Sequence, residues 1–99
     1  MRPIHVAHLD KARPVLVLTR ELVLPYRRQV TVAPITTTVR GLSTEVPVGP
    51  ANGIDHESVV SCDNVVTIDK DALGERIGYL LPAQEPLLTE AIHAAFDLE

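Results

Sequence analysis

The first two-thirds of this chain carry their apolar residues in short, interrupted runs, and that pattern limits what it can fold into. Through residue 62 the apolar residues come in short runs rich in Val, Ile, Leu and Thr, each interrupted by Pro, Gly or charge. That is the pattern of β-strands joined by turns. The runs fall at about 3–9 (PIHVAHL), 14–20 (PVLVLTR), 29–38 (QVTVAPITTT), 44–48 (TEVPV) and 58–62 (SVVSC). Four consecutive apolar residues, Val15–Leu18, predict a strand covered on both faces. Pro34 has no N–H to give, so the third run should be an edge, bulged or unbonded at that point. The cluster VGPANG, Val48–Gly53, predicts a turn. Further on, DKDALGER (Asp69–Arg76) reads as one or two helical turns capped by Asp69, and RIGYLL as a short strand. Ala83–Phe96 then reads as an amphipathic helix with Leu87, Leu88, Ala91, Ile92, Ala95 and Phe96 on one stripe. Pro86 falls near its first turn, where a missing amide is tolerated. The order predicts a mostly β fold with a C-terminal helix (α+β), a small, partly open barrel or sandwich under a helical lid. Periodicity alone fits an SH3-like and an OB-like barrel equally.

Ninety-nine residues suit one domain, 1–99, large enough to bury roughly 60–70% of its unfolded surface. No apolar run approaches the ~20 residues of a membrane span, and MRPIHVAHLDKARP lacks the features of a secretory leader. Cys62 is the only cysteine, so no internal disulfide forms. A cytoplasmic protein without membrane contact is expected. The formal charge of −4 conceals an asymmetry. Residues 1–50 hold seven Lys/Arg against three acids, a formal +4, whereas 51–99 hold two against ten, a formal −8. A basic half within an acidic chain permits a local anion site without making the whole protein a polyanion binder.

Few side chains fit a catalytic or metal pattern by spacing. His5 and His8 lie three apart on a predicted strand and should face opposite ways. His56 sits in a loop beside Asp55 and Glu57, and His93 on the helix. No His/Cys spacing matches a structural zinc site, so no metal is expected. The DKD triplet lacks the glycine and distal glutamate of a calcium loop. Cys62 reads as a buried structural thiol, and no glycine-rich phosphate loop precedes a helix.

The basic half offers more. LPYRRQ places Tyr26 beside Arg27 and Arg28, an aromatic face and two guanidiniums that suit a stacked base and its phosphates. The same residues also suit a solvated hairpin turn. Arg13 is fixed against the rigid Pro14 at the mouth of the second strand. Thr36 and Thr38 should share one face of the third strand, with Thr37 on the other. Spacing does not show whether Arg13 meets any of them.

Taken together, ARPVLVLTRE, VAPITTTVRGLSTEVPV, SVVSCDNVVTIDKDALGERIGYL and PLLTEAIHAAFDL resemble, in order and over essentially the whole chain, the MazF/PemK toxin endoribonucleases, mycobacterial members above all. The resemblance implies an SH3-like barrel of the MazF/PemK/CcdB type with a C-terminal helix, assembled as a homodimer. It implies the toxin of a type II toxin–antitoxin pair, opposed by a cognate MazE-like antitoxin that lays an acidic segment over the basic groove. The implied activity is metal-independent, sequence-specific cleavage of single-stranded RNA (messenger, ribosomal or transfer), with no cofactor. On the family pattern Arg13 and Thr36 are catalytic, and Thr37, Thr38 and Arg40 continue toward the RNA. Two departures stand out: the first loop is cut to about Asp10–Ala12, and Arg20 stands where many relatives carry Asn. Arg20, Tyr26, Arg27 and Arg28 are further expected RNA contacts. Two other readings keep the fold: a gyrase-poison toxin that acts by protein binding, and an inactive paralogue kept as a binding module. The first normally uses a Trp-Gly-Ile-type end, whereas this chain ends in FDLE without tryptophan.

Overall fold

The run Val15–Leu18 does supply a strand covered on both faces. In a computed structural model, which describes residues 1–98, Leu16 enters one apolar core while Val15 and Val17 enter another. That strand, Ala12–Val17 (β2), lies between Pro3–His8 (β1) and Gln29–Thr36 (β3), antiparallel to both. The described residues form seven strands, the others being Glu45–Val48 (β4), Ser58–Ser61 (β5), Val66–Asp69 (β6) and Leu73–Tyr79 (β7). They form one curled sheet ordered β4-β5-β3-β2-β1-β7, with β6 on β3. The helix Glu85–Phe96 (α1) packs on β4 and closes the larger core, which holds Ile4, Leu16, Ile35, Val46, Val60 and Leu80. This is the mostly β fold with a C-terminal helix that the residue pattern predicted, and the SH3-like barrel that the family resemblance implied.

β3 is the hinge of the design. Its first half pairs with β6 from Gln29 to Val32, and its end pairs with β5 at Ile35 and Thr36. Pro34 falls in the gap between these two ladders, where the missing N–H leaves no rung unmade. Proline is thereby accommodated in a central strand.

Four readings of the sequence fail. DKDALGER is not helical: only Lys70–Ala72 makes a single 3₁₀ turn, and Leu73–Arg76 is already strand. Ala, Leu, Glu and Arg favour helix, but pairing of β7 with β1 overrides that weak preference. β6 escaped notice because its run is short and mostly exposed. The predicted second and third strands also run too far, ending at Val17 and Thr36. On α1, Leu88 and Ala91 are buried, yet Leu87 and Phe96 of the predicted stripe are about half exposed.

Cys62 is buried as expected. Burial, reinforced by the Asp63 carboxylate, pushes its thiol from 9.0 up to about 11. Between these two values the folded state keeps a proton that the unfolded chain releases. Its contribution to stability is therefore complete below pH 9 and is lost as pH rises through the folded value. At about pH 8, iodoacetamide should label the native protein slowly and the urea-unfolded chain fast. Fast labelling of native protein would show that the thiol is not sealed.

Candidate active site

The β2–β3 ladder brings the two leading candidates together. Val15 lies opposite Pro34 and Val17 opposite Val32. The paired register ends at Val15 and Pro34, and Arg13 and Thr36 each lie two residues beyond it on the neighbouring strands. Both residues line two adjoining cavities of about 600 and 610 Å³, so they form the ridge between them.

Arg13 is poised rather than buried in partners. Its side chain is 42% exposed, and one Nη lies 3.7 Å from the Asp10 carboxylate across the three-residue turn Leu9–Lys11. A pair that long and that exposed contributes little to stability. Its Nε, by contrast, is buried and has no hydrogen-bond partner. A buried donor left unpaired is costly, so an acceptor arriving in the cleft gains more from this nitrogen than from an exposed one. Thr36 is the last residue of β3, and its Oγ1 accepts a hydrogen bond from the Thr38 amide at 3.1 Å. That turn ends the strand and fixes the hydroxyl.

The strand alternation assumed for the threonines stops there. Thr37 is not turned away: it lines the first cavity with Arg13 and Thr36, while Thr38 and Arg40 line the second. The backbone after Thr38 is clipped by Glu45, whose carboxylate accepts from the amides of Arg40 and Leu42 at 3.1–3.4 Å.

Several cleft residues were not among the expected site. Lys11, Asp55, His56 and Ser58 line the first cavity, and Asp63 and Asn64 the second. Asp63 accepts from Thr44 Oγ1 at 2.6 Å. The charge asymmetry along the sequence therefore does not carry into the cleft. The cavities expose Lys11, Arg13 and Arg40 against Glu45, Asp55 and Asp63, a formal sum of zero. No signal in a single sequence marks Asp55 or Asp63, because only the fold carries the acidic half beside Arg13.

Four expected contacts are not brought to this cleft. Arg20, Tyr26, Arg27 and Arg28 lie in or beside the β2–β3 connection, at the opposite end of both strands from Arg13 and Thr36. Eight residues of extended chain from Arg28 to Thr36 span about 25 Å, in a molecule of 32 × 31 × 26 Å. The sequence groups these residues with Arg13 because they are near it along the chain, but a strand carries its two ends apart. His5 and His8 also do other work, since both meet Gly74 of β7. The His5 Nδ1 lies 3.0 Å from the Gly74 carbonyl oxygen, and the His8 ring packs against its Cα. Among the described residues no His, Cys, Asp or Glu cluster could hold a metal ion.

Comparison with known proteins identifies the family of the chain. Residues 3–96 match the family described as the PemK-like, MazF-like toxin of type II toxin–antitoxin systems. The chain is 68% identical, over all of its length and 96% of the relative's, to the endoribonuclease MazF3 of Mycobacterium tuberculosis. It superposes on the solved Mycobacterium tuberculosis toxin MazF-mt6 with a TM-score of 0.97, at 67% identity and 99% coverage of both chains. A mycobacterial endoribonuclease solved in complex with its cognate antitoxin matches with a TM-score of 0.88, at 28% identity, covering 98% of this chain and 93% of that one. The chain belongs to the PemK-like, MazF-like toxins of type II toxin–antitoxin systems.

Proposed function

We propose that this protein is the toxin of a type II toxin–antitoxin pair, an endoribonuclease that cuts single-stranded RNA in the cytoplasm without a metal ion. The observation that carries the reading is Arg13, with its unpaired buried Nε, together with Thr36 in the lining that the two cavities share. The family and the relative named as an endoribonuclease supply its direction.

Attack of a ribose 2′-hydroxyl on the adjacent phosphorus needs no protein nucleophile. The bond from O2′ to phosphorus forms as the bond to O5′ breaks, the 2′-hydroxyl proton passing to solvent water and O5′ taking a proton from it, which leaves a 2′,3′-cyclic phosphate and a 5′-hydroxyl. The requirement on the protein is to stabilise the extra negative charge of the phosphorane. A guanidinium does this with parallel N–H donors and a permanent charge. A group that stays protonated serves better as an electrostatic clamp than as a proton acceptor, so Arg13 holds the non-bridging oxygens. The Thr36 hydroxyl donates to, or orients, one of them. The cavities on either side of the ridge take the nucleotides flanking the cut. Thr37 contacts one, and Thr38 and Arg40 the other.

A cognate MazE-like antitoxin would compete by laying an acidic extended segment on the same surface; the mycobacterial homologue was solved with its own antitoxin. A homodimer would cover the apolar side chains that the single chain leaves exposed on the helix and its end, Leu87, Phe96 and Leu98.

The test is a mixed-sequence RNA incubated with the purified protein in EDTA. Discrete fragments are expected, with downstream pieces that accept phosphate from a kinase without prior phosphatase treatment. Their 5′ ends, mapped across a transcriptome after induction, identify the physiological RNA. Intact RNA, or cleavage abolished by EDTA, would overturn the reading. Inhibition of gyrase supercoiling with RNA left intact would replace it with the protein-binding one.

A further inference from the structure

We propose that the β2–β3 connection is a second RNA-binding surface, apart from the cleft, which captures the phosphate backbone and stacks a base on Tyr26. The identity of its ligand rests on the ribonuclease reading. Its existence rests on three observations at the far end of the barrel.

The first is where unneutralised positive charge lies. The cleft sums to zero, so it supplies little long-range attraction for a polyanion. Arg20, Arg27 and Arg28 form no ion pair among the described residues, and Glu21 between them is engaged by the N-terminal ammonium at 3.2 Å. Lys70 adds a fourth cation; its amide donates to the Arg28 carbonyl at 2.8 Å. Asp69, paired with Gln29, and Asp71 are the nearby acids by register and sequence, and neither closes on these arginines.

The second is the aromatic ring. Tyr26 is 86% exposed, which an aromatic side chain on a buried turn would not be. The turn is nonetheless well held. Leu24–Tyr26 is a 3₁₀ turn with Pro25 inside it, and Lys70 Nζ donates to the Leu24 carbonyl at 3.1 Å. Leu24 itself packs against Val30 and its neighbours in the smaller core. A rigid turn that presents a ring to solvent is a stacking platform whose ordering is already complete.

The third is shape. Arg20 and Arg27 both line a groove of about 390 Å³ together with Leu18, Val23 and Thr31. Two guanidinium forks in one groove suit phosphate oxygens bidentately. Exposed Leu22 alone would suit a protein partner; unpaired guanidiniums beside a free ring favour a polyanion with flat bases.

The experiment compares wild type with the triple variant R20A/R27A/R28A and with Tyr26→Ala. Binding is read by anisotropy on a fully 2′-O-methylated RNA of about 20 nucleotides, which cannot be cleaved, as a function of salt. The triple variant should bind about tenfold or more weakly, and the slope of log affinity against log salt should fall by about two, at roughly 0.7 per lost phosphate contact. Tyr26→Ala should weaken binding about fivefold or more with the slope unchanged. In cleavage, KM for an RNA of about 20 nucleotides should rise by the same factors with kcat unaltered, while a substrate of about six nucleotides is cut as before. An unchanged salt slope overturns the proposal, as does equal loss on short and long RNA. It is also overturned if the variants lose antitoxin affinity but keep RNA affinity. If wild type cleaves neither RNA, the ribonuclease reading fails, and the binding series still decides the fate of this surface.

Discussion

Arg13→Ala is expected to lower kcat/KM on RNA by about a hundred- to a thousand-fold, nearly all of it in kcat. The guanidinium sits where charge develops, on the ridge between the two cavities, and its buried Nε has no ground-state partner to lose. Removing it therefore removes a contact realised fully only as the phosphorane forms. Arg13→Lys keeps the charge but not the fork, so it should recover only part of the rate. Thr36→Ser should stay near wild type and Thr36→Val should fall by a smaller factor than Arg13→Ala, because a hydroxyl contributes one donor. If both residues grip one phosphate, the Arg13→Ala/Thr36→Val double variant should be less impaired than the product of the single effects. Single-turnover cleavage of a labelled RNA reads all of these. Undiminished cleavage by Arg13→Ala would remove this residue from the mechanism.

How far the site could be read from the sequence follows from what a period of two can report. The runs at 14–20 and 29–38 put Arg13 just before the second strand and Thr36 inside the third, without showing whether they meet. Antiparallel neighbours joined by the Leu18–Arg28 connection carry both residues to the end away from it. The pairing itself needed the register, because slipping the strands by one residue would send Thr36 to the other face. Thr37 was misjudged for a related reason. Alternation holds only while the chain is a strand, and the Thr36 hydroxyl ends the strand by capturing the Thr38 amide. Asp55, His56 and Asp63 reach the cleft from a distant part of the chain, a fact about topology that no local pattern holds. The β7 segment was misread because its helix-forming residues are recruited by β1, and tertiary pairing outweighs preferences of a few tenths of a kcal/mol.

The largest stability effect is expected where two stretches of backbone touch. Gly53 and Gly78 press backbone against backbone where the turn after β4 meets β7. A Cβ on Gly53 would stand 2.0 Å from the Ile77 carbonyl oxygen, and one on Gly78 would stand 1.9 Å from that of Asn52. Neither obstacle is a side chain that swings aside. Gly53 also holds φ at +82°, a conformation that costs an L-residue about 1–2 kcal/mol even in open space. The contact is locked by Asn52, which is buried and ties three segments together. Its Nδ2 donates to the Tyr79 carbonyl at 2.9 Å and to Gln84 Oε1 at 2.7 Å, and its Oδ1 accepts from the Gly49 amide at 3.1 Å. Gln84 Nε2 in turn donates to the Pro47 carbonyl at 3.1 Å, joining β4 to the start of α1. Gly53→Ala and Gly78→Ala must separate the turn from β7 and loosen this network, so each should destabilise the fold by about 3 kcal/mol or more. Gly41→Ala is the internal control: its φ is +72°, but nothing lies within 4 Å of the added carbon, so only the backbone term of about 1–2 kcal/mol applies. Urea unfolding followed by circular dichroism should place both variants' midpoints well below that of Gly41→Ala, with m unchanged. Equal midpoints for all three would mean that the turn and β7 are not in contact in solution. Because Gly53, Ile54 and Ile77 also wall the cavity beside Arg13, the folded fraction of Gly53→Ala should in addition cut RNA more slowly, whereas Gly41→Ala, once folded, should keep its rate.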